Sequence, residues 1–195
     1  NWMNPKAAGL KVCSLNVRSL NCHIHDVRSD PVLLESHVLC LQETWMTPEE
    51  EDSLVYQLEN FRGNFTCVGR GKGIAVYVRQ ELCESEAYRY QELCKEHLQI
   101  GKISLNDVDI INVYRSQEEP FYTMAHYLSE MIDLNKTSLI VGDFNYDAAN
   151  ETNEVSKYLS KQQFKQLVTS PTHLGGHILD QAHLRQSLRK KNCLL

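Results

Sequence analysis

Val38-Leu39-Cys40-Leu41-Gln42-Glu43-Thr44-Trp45 opens with a nearly continuous apolar run and closes on a carboxylate. An apolar run without alternation marks a strand covered on both faces, which requires further layers on either side of its sheet. Glu43 ends that strand. Moving outward, residues 10–15 (LKVCSL) alternate apolar with small or polar side chains and predict a strand ending at Asn16. Residues 138–141 (SLIV) predict another that delivers Gly142-Asp143-Phe144-Asn145 at its end. Residues 74–79 (IAVYVR) follow Gly69-Arg70-Gly71-Lys72-Gly73; the glycines read as a hairpin or loop, since no Walker or Rossmann spacing accompanies them. Residues 98–105 and 108–115 flank Asn106-Asp107 as an antiparallel hairpin, and residues 178–184 form a last strand. Helices are predicted over 30–36, with Asp30 as N-cap and Pro31 in the first turn. Others are predicted from the acidic run 49–52 after Thr47-Pro48, over 120–134 from its amphipathic spacing, and over 154–164. No repeat or low-complexity linker interrupts residues 1–195, which are expected to form one α/β or α+β layered domain.

Bulk properties narrow the function classes. The chain has 195 residues, 42% hydrophobic and 23% charged, a balance that suits a globular fold with a substantial core. Twenty Lys and Arg against twenty-five Asp and Glu give a net charge of −5. That argues against attachment to nucleic acid by bulk positive charge, but not against an enzyme that recruits a cation to face phosphate. Seven cysteines without a CxxC pair indicate neither a disulfide framework nor a zinc site. Cys13 and Cys40 read as small buried hydrophobes, and Cys22-His23-Ile24-His25 lacks the second ligand pair that a metal clip requires. A reducing compartment, nucleus or cytoplasm rather than the secretory route, is expected despite sequons at Asn64, Asn135 and Asn150. Residues 1–10 carry no apolar signal core, and no stretch approaches the roughly 18 apolar residues of a membrane span. The start at Asn rather than Met reads as that of a fragment or excised domain.

Asn16, Glu43, and Asp143 with Asn145 each stand at the end of an apolar strand, where a sheet offers side chains to a common crevice. Singly, such residues also serve as caps and turns. Together they form a chemical set. A hard cation such as Mg2+ takes few carboxylate oxygens and keeps positions open for water and phosphate. Glu43 suits that ligation, Asp143 suits orienting or deprotonating a water, and the two asparagines suit neutral hydrogen bonds to phosphate oxygens.

The strings Leu15-Asn16-Val17-Arg18, Leu41-Gln42-Glu43-Thr44-Trp45, Val113-Tyr114-Arg115, Val141-Gly142-Asp143-Phe144-Asn145 and Ser170-Pro171-Thr172-His173, followed by Leu179-Asp180, resemble the endonuclease/exonuclease/phosphatase superfamily. That superfamily includes deoxyribonuclease I and apurinic/apyrimidinic endonucleases. Ser-Pro-Thr-His and Asn-Val-Arg-Ser-Leu narrow the resemblance to the endonuclease domains of non-LTR retrotransposons or Helitron-type elements. The resemblance implies a four-layer α/β sandwich of two mixed β-sheets flanked by helices, with the last strand or strands missing. It implies a metal-dependent phosphodiester hydrolase that nicks DNA to leave a 3′-hydroxyl, with Mg2+ as cofactor and Mn2+ as its alternative. DNA is the implied partner, without a membrane or an obligate protein partner. By the same resemblance Glu43 and Asn16 serve the metal, Asp143 activates water, and Asn145 holds phosphate or Asp143. Tyr114 donates its hydroxyl to a phosphate oxygen, and Asp180 orients a histidine. Arg18, Thr172 and His173 contact the substrate. The alternative reading of Tyr114 is a strand aromatic packed in its sheet.

One feature departs from that pattern. Members end with a Ser-Asp-His string on a later strand, and none follows Asp180 here. His183 is three residues from Asp180 on a predicted strand, so the two side chains face opposite ways; His173 and His177 lie beside Gly175-Gly176. The chain is therefore expected to be C-terminally incomplete and weakly active or inactive. A catalytically silent remnant that binds nucleic acid or protein is the alternative, as is a phosphatase on a small substrate. The basic run 185–191 reads as a solvated surface loop or a phosphate-contacting strip.

Overall fold

A computed structural model describes residues 9–150 and 153–187. Two mixed sheets lie face to face with helices on their outer surfaces. The first contains β1 (Val12–Asn16), β2 (Val38–Gln42), β3 (Phe61–Thr66) and β4 (Ile74–Arg79) in the order β1-β2-β4-β3. The second contains β5 (Arg89–Cys94), β6 (Leu98–Ser104), β7 (Val108–Arg115), β8 (Thr137–Asp143), β9 (Lys165–Gln166) and β10 (Asp180–Arg185) in the order β5-β6-β7-β8-β10-β9. β1 runs parallel to β2 and β7 parallel to β8, while the remaining pairs are antiparallel.

Side-chain alternation divides the apolar residues into three layers. Val38, Cys40, Val76, Val78, Ile103, Ile110 and Val141 fill the space between the sheets. Leu39, Leu41, Ala75 and Tyr77 face outward, covered by Leu20, Ile24 and Val27 of α1 (Leu20–Ser29). On the opposite flank Ile111, Val113 and Ile140 pack against Met124 and Leu128 of α4 (Phe121–Met131) and Val155 and Leu159 of α5 (Glu154–Lys161). The expected four-layer architecture is thus observed, and β2 is buried at every position as its composition requires. Two short helices, α2 (Pro31–Leu34) and α3 (Gln80–Cys83), bridge strands. Asp30 caps α2 by accepting from the N–H groups of Val32 and Leu33.

Three local expectations need correction. The acidic run 49–52 does not open an α-helix; only a single 3-10 turn, Pro48–Glu50, forms there. Glu50 folds back to accept the Thr47 N–H at 2.9 Å and the Tyr56 hydroxyl at 2.9 Å, and these local bonds close the turn. Cys13 is half-buried rather than fully buried, whereas Cys40 is enclosed as expected. The third concerns α1, which was not expected in the polar segment 20–29. Residues 1–8 and 188–195 lie outside the described residues, and with them the chain start, Cys193 and most of the basic run 185–191.

Candidate active site

β1, β2 and β8 end at one edge of the sandwich, where their terminal side chains meet. The amide nitrogen of Asn16 donates to Glu43 Oε1 at 2.8 Å and to Asp143 Oδ2 at 3.0 Å, so one side chain joins carboxylates from the two sheets. The chain beyond β1 stays pinned to the end of β2. Val17, Ser19 and Leu20 donate their N–H groups to the carbonyls of Gln42, Glu43 and Thr44. Beneath Glu43, Gln42 donates to Asn112 Oδ1 at 2.6 Å, and Asn112 donates to the carbonyls of Leu41 and Ala75. This buried amide pair ties the sheets together directly under the site, which fixes the separation of the two carboxylates.

Asp143 is pressed into the protein at 5% exposure. Desolvation raises its pKa to about 6, reinforced by the nearby charges of Asp180 and Glu43 and opposed by hydrogen bonds from the Asn145 N–H and Asn16. Gly142 makes the placement feasible. A Cβ there, at φ 139°, would fall 1.9 Å from the Val113 carbonyl oxygen of the neighbouring strand. Asn145, with φ 49°, donates its backbone N–H to Asp143 Oδ1 at 3.0 Å and its side chain to the Arg115 carbonyl at 2.8 Å. Arg115 itself lies over the Tyr146 ring at 3.8 Å, and burial lowers its pKa.

Asp180 faces Asp143 across the β8–β10 ladder. Burial raises its pKa, while Thr172 and the charge of Arg18 pull it down. Thr172 Oγ1 accepts the N–H groups of Leu179 and Asp180 at 3.1 Å, so the Ser-Pro-Thr-His segment braces this aspartate from outside. Arg18 is exposed, with φ 44°, and donates its N–H to Asn16 Oδ1 at 3.2 Å. His173 is exposed, stacks on His177 at 6.3 Å and accepts the Gly175 N–H at Nδ1 at 3.1 Å within its own turn. His177 pairs with Asp147 at 2.9 Å. His183 is buried against Phe144, contacts Gln181 Oε1 at 2.8 Å and is depressed to about 4 by desolvation. Among the described residues no histidine hydrogen-bonds Asp180, and the opposite facing of Asp180 and His183 follows from strand parity.

Tyr114 sits opposite Asp143 in the β7–β8 register. Its hydroxyl donates to the Gly71 carbonyl at 2.8 Å, and burial, with Glu43 and Asp143, pushes its pKa up to about 12. The glycine-rich segment 69–73, read from sequence as a hairpin or loop, joins antiparallel β3 and β4 and is also part of the site wall. It also receives the N–H groups of Thr44 and Trp45 at the carbonyls of Gly73 and Lys72. These contacts run through backbone carbonyls, which leave no mark on sequence; the proximity of Arg70 to Trp45 was equally invisible.

Glu43, Asp143 and Asp180 converge with no Lys or Arg within ion-pairing distance among the described residues. Excess negative charge at a strand-end crevice suits a divalent cation. A Mg2+ site commonly takes only one or two carboxylates and fills the rest with water and phosphate. Glu43, partly exposed and held through both oxygens, fits as that ligand, with Asn16 beside it. No group of three or more His, Cys, Asp or Glu side chains is disposed to enclose a metal among the described residues, so a closed structural site is not what the geometry offers.

The model of the endonuclease/exonuclease/phosphatase family matches residues 13–182, and the chain belongs to that family. Its members are phosphodiester hydrolases, and the nucleases among them generally use divalent metals. An AP endonuclease from Archaeoglobus fulgidus is similar with a TM-score of 0.62 at 16% identity, over 90% of this chain and 86% of that one. A Neisseria 3′ phosphatase, NExo, bound to a product DNA hairpin gives 0.61 at 13% identity, over 93% and 88%. The endonuclease domain of TRAS1, a telomere-specific non-LTR retrotransposon, gives 0.60 at 12%, over 89% and 83%. At these identities the likeness is one of fold. No helix among the described residues is long and apolar enough to cross a membrane.

Proposed function

We propose that this chain is a Mg2+-dependent DNA endonuclease domain of transposable-element origin, nicking one strand to leave a 3′-hydroxyl. The observation that carries the reading is the bridge from Asn16 to both Glu43 and Asp143, which brings carboxylates of two sheets into one crevice. Glu43, assisted by Asn16, would hold the cation, with Mn2+ as the alternative. When bound, such an ion supplies positive charge against the charge that develops on phosphate oxygens. Asp143 is ionised at neutral pH yet unusually basic for a carboxylate, which suits a group that orients and deprotonates the attacking water. Asn145 and Asn16 hold its two oxygens in place. Tyr114 would turn its hydroxyl from Gly71 to a phosphate oxygen. Asp180 is steadied by Thr172, with Arg18 at the rim for the DNA backbone; His173 would meet substrate only at the periphery. Since both sheets furnish the site, residues 1–195 are read as one domain.

A catalytically silent scaffold that keeps nucleic-acid or protein binding is the second reading, favoured by the lack of a histidine on Asp180 among the described residues. Supercoiled plasmid with Mg2+, with EDTA, and with the Asp143→Ala variant separates these readings. Nicking by the parent chain, lost with EDTA or the substitution and producing ends that a DNA polymerase extends, supports the endonuclease. DNA affinity equal in both proteins without any nicking supports the scaffold. Release of inorganic phosphate without plasmid relaxation identifies a phosphatase.

A further inference from the structure

We infer that Trp45 is a positioning residue for the carboxylate of Glu43, and that the 69–73 loop sets divalent-cation affinity through it; this rests on the reading of Glu43 as the metal ligand. Each oxygen of Glu43 has one neutral donor. Oε1 receives Asn16 Nδ2, and Oε2 receives the indole Nε1–H of Trp45 at 3.4 Å. A glutamate at a strand end has three side-chain torsions to fix, and two donors on opposite oxygens restrict them. Residues that orient a ligating side chain in this way shape metal affinity as strongly as many direct contacts do.

The turn that delivers Trp45 is not the default continuation of β2. Glu43 and Trp45 both adopt positive φ, 51° and 59°, a conformation that costs non-glycine residues energy and persists only where surrounding structure enforces it. Enforcement comes from the glycine loop, whose Gly73 and Lys72 carbonyls take the N–H groups of Thr44 and Trp45 at 3.2 and 2.9 Å. Gly73, at φ 90°, is required there because a Cβ would meet Thr44 Oγ1 at 2.7 Å. Burial alternates through the turn: Gln42, Thr44 and Met46 point into the core, and Glu43 and Trp45 stay partly exposed on the site side. Trp45 is therefore not a core-filling aromatic. The same loop places the guanidinium of exposed Arg70 5.9 Å from the indole ring. It also holds the Tyr114 hydroxyl through Gly71. One short loop thus fixes Tyr114 directly and Glu43 by way of Trp45.

The test is Mn2+ binding to the full chain at pH 8, read from the electron paramagnetic resonance signal of free Mn2+. The proteins are the parent, Glu43→Gln, Trp45→Phe, and a chain carrying benzothienylalanine at position 45, which keeps the bicyclic shape and lacks the N–H. Both changes at position 45 are expected to weaken Mn2+ binding about 10-fold. In plasmid nicking the half-saturating Mg2+ concentration rises accordingly, while the rate at saturating Mg2+ stays near the parent value. Parent-like Mn2+ affinity in the benzothienylalanine chain would overturn the role of Trp45, even if Trp45→Phe fails to fold. Absence of Mn2+ binding by the parent, or undiminished binding by Glu43→Gln, removes the underlying assignment of Glu43 and the inference with it.

Discussion

β7 and β8 carry a buried carboxylate at each end of their ladder, about 17 Å apart at ~3.3 Å per residue, and the protein treats the two oppositely. At the β7 start, Asp109 is fully enclosed, with Lys102 Nζ 3.0 Å from one oxygen and Lys136 Nζ 3.3 Å from the other. Each lysine also donates to a backbone carbonyl, of Met131 and Leu105 respectively. The contacts to Asp109 are ion pairs rather than well-aligned hydrogen bonds. At the β8 end, Asp143 has amide donors only and no ion pair among the described residues. Glu43 and Asp180 push its pKa up, and Arg115 and Arg18 act on this carboxylate group by charge without pairing with it. Nothing in sheet geometry demands this contrast. A carboxylate kept for structure is neutralised by ion pairs within the protein, whereas a group of carboxylates left without paired cations is stable only at a cost, and such costs concentrate at functional sites.

The largest expected effect is on the neutralised end. Asp109→Ala leaves the buried Lys102 ammonium, and the partly exposed Lys136 beside it, facing a cavity, and breaking a buried ion pair from one side costs about 3–5 kcal/mol. Urea unfolding reads that loss directly. Nicking per folded molecule stays at the parent level, because no catalytic side chain contacts Asp109. A loss below about 1 kcal/mol would mean that water already reaches the pair, and the two ends would no longer differ in kind.

At the other end the sign of the stability effect reverses. Asp143→Asn removes a strained charge while preserving shape, so the thermal midpoint is expected to hold or rise. The nicking rate is expected to fall by roughly 10²- to 10⁴-fold, the range for loss of a general base. An inactive variant that is also less stable than the parent would show Asp143 to be part of the scaffold.

How much of this was legible in sequence follows from where each signal resides. β2 was readable to the residue because burial on both faces leaves an unbroken apolar run. α1 escaped notice although Leu20, Ile24 and Val27 stand at helical spacing, since polar residues surround them. β3 and β5 are edge strands with mostly exposed or half-exposed residues, and FRGNFT and RYQELC carry no alternation strong enough to betray them. In the site, Asn16, Glu43 and Asp143 were legible because strand ends are visible as stops in apolar runs. The roles of Trp45 and the glycine loop were not, because backbone carbonyls do the holding and any sequence supplies those.

Titration sharpens the comparison further. Burial pushes Asp143 up to about 6 in the folded protein, from an ordinary value of 3.8. The folded state therefore binds this proton more tightly than the unfolded chain. Its contribution to stability is full below about pH 4 and is lost as pH rises through about 6. The difference is on the order of 2–3 kcal/mol. Without divalent metal, raising pH from 5 to 8 should lower the parent's thermal midpoint relative to that of Asp143→Asn. Mg2+ should recover much of the deficit at pH 8 and little at pH 5, where protons compete. Parallel pH profiles for the two proteins would show that Asp143 is not strained by its surroundings.

The smallest effect separates the two lysines at the neutralised end. Lys102 is nearly enclosed, whereas the Lys136 side chain is 25% exposed. Lys136→Met removes one ion pair and the bond to the Leu105 carbonyl, yet leaves Lys102 at 3.0 Å to balance Asp109. A partly solvated pair contributes little beyond its hydrogen bond, so the expected loss is about 1 kcal/mol by urea unfolding. Lys102→Met should cost more, because the surviving cation is then the one that water already screens. If Lys136→Met instead matched Asp109→Ala, the three groups would act as one cooperative unit rather than a pair with an auxiliary. Either result leaves the nicking rate unchanged, since charge balance at this end is complete without reference to the crevice at the other.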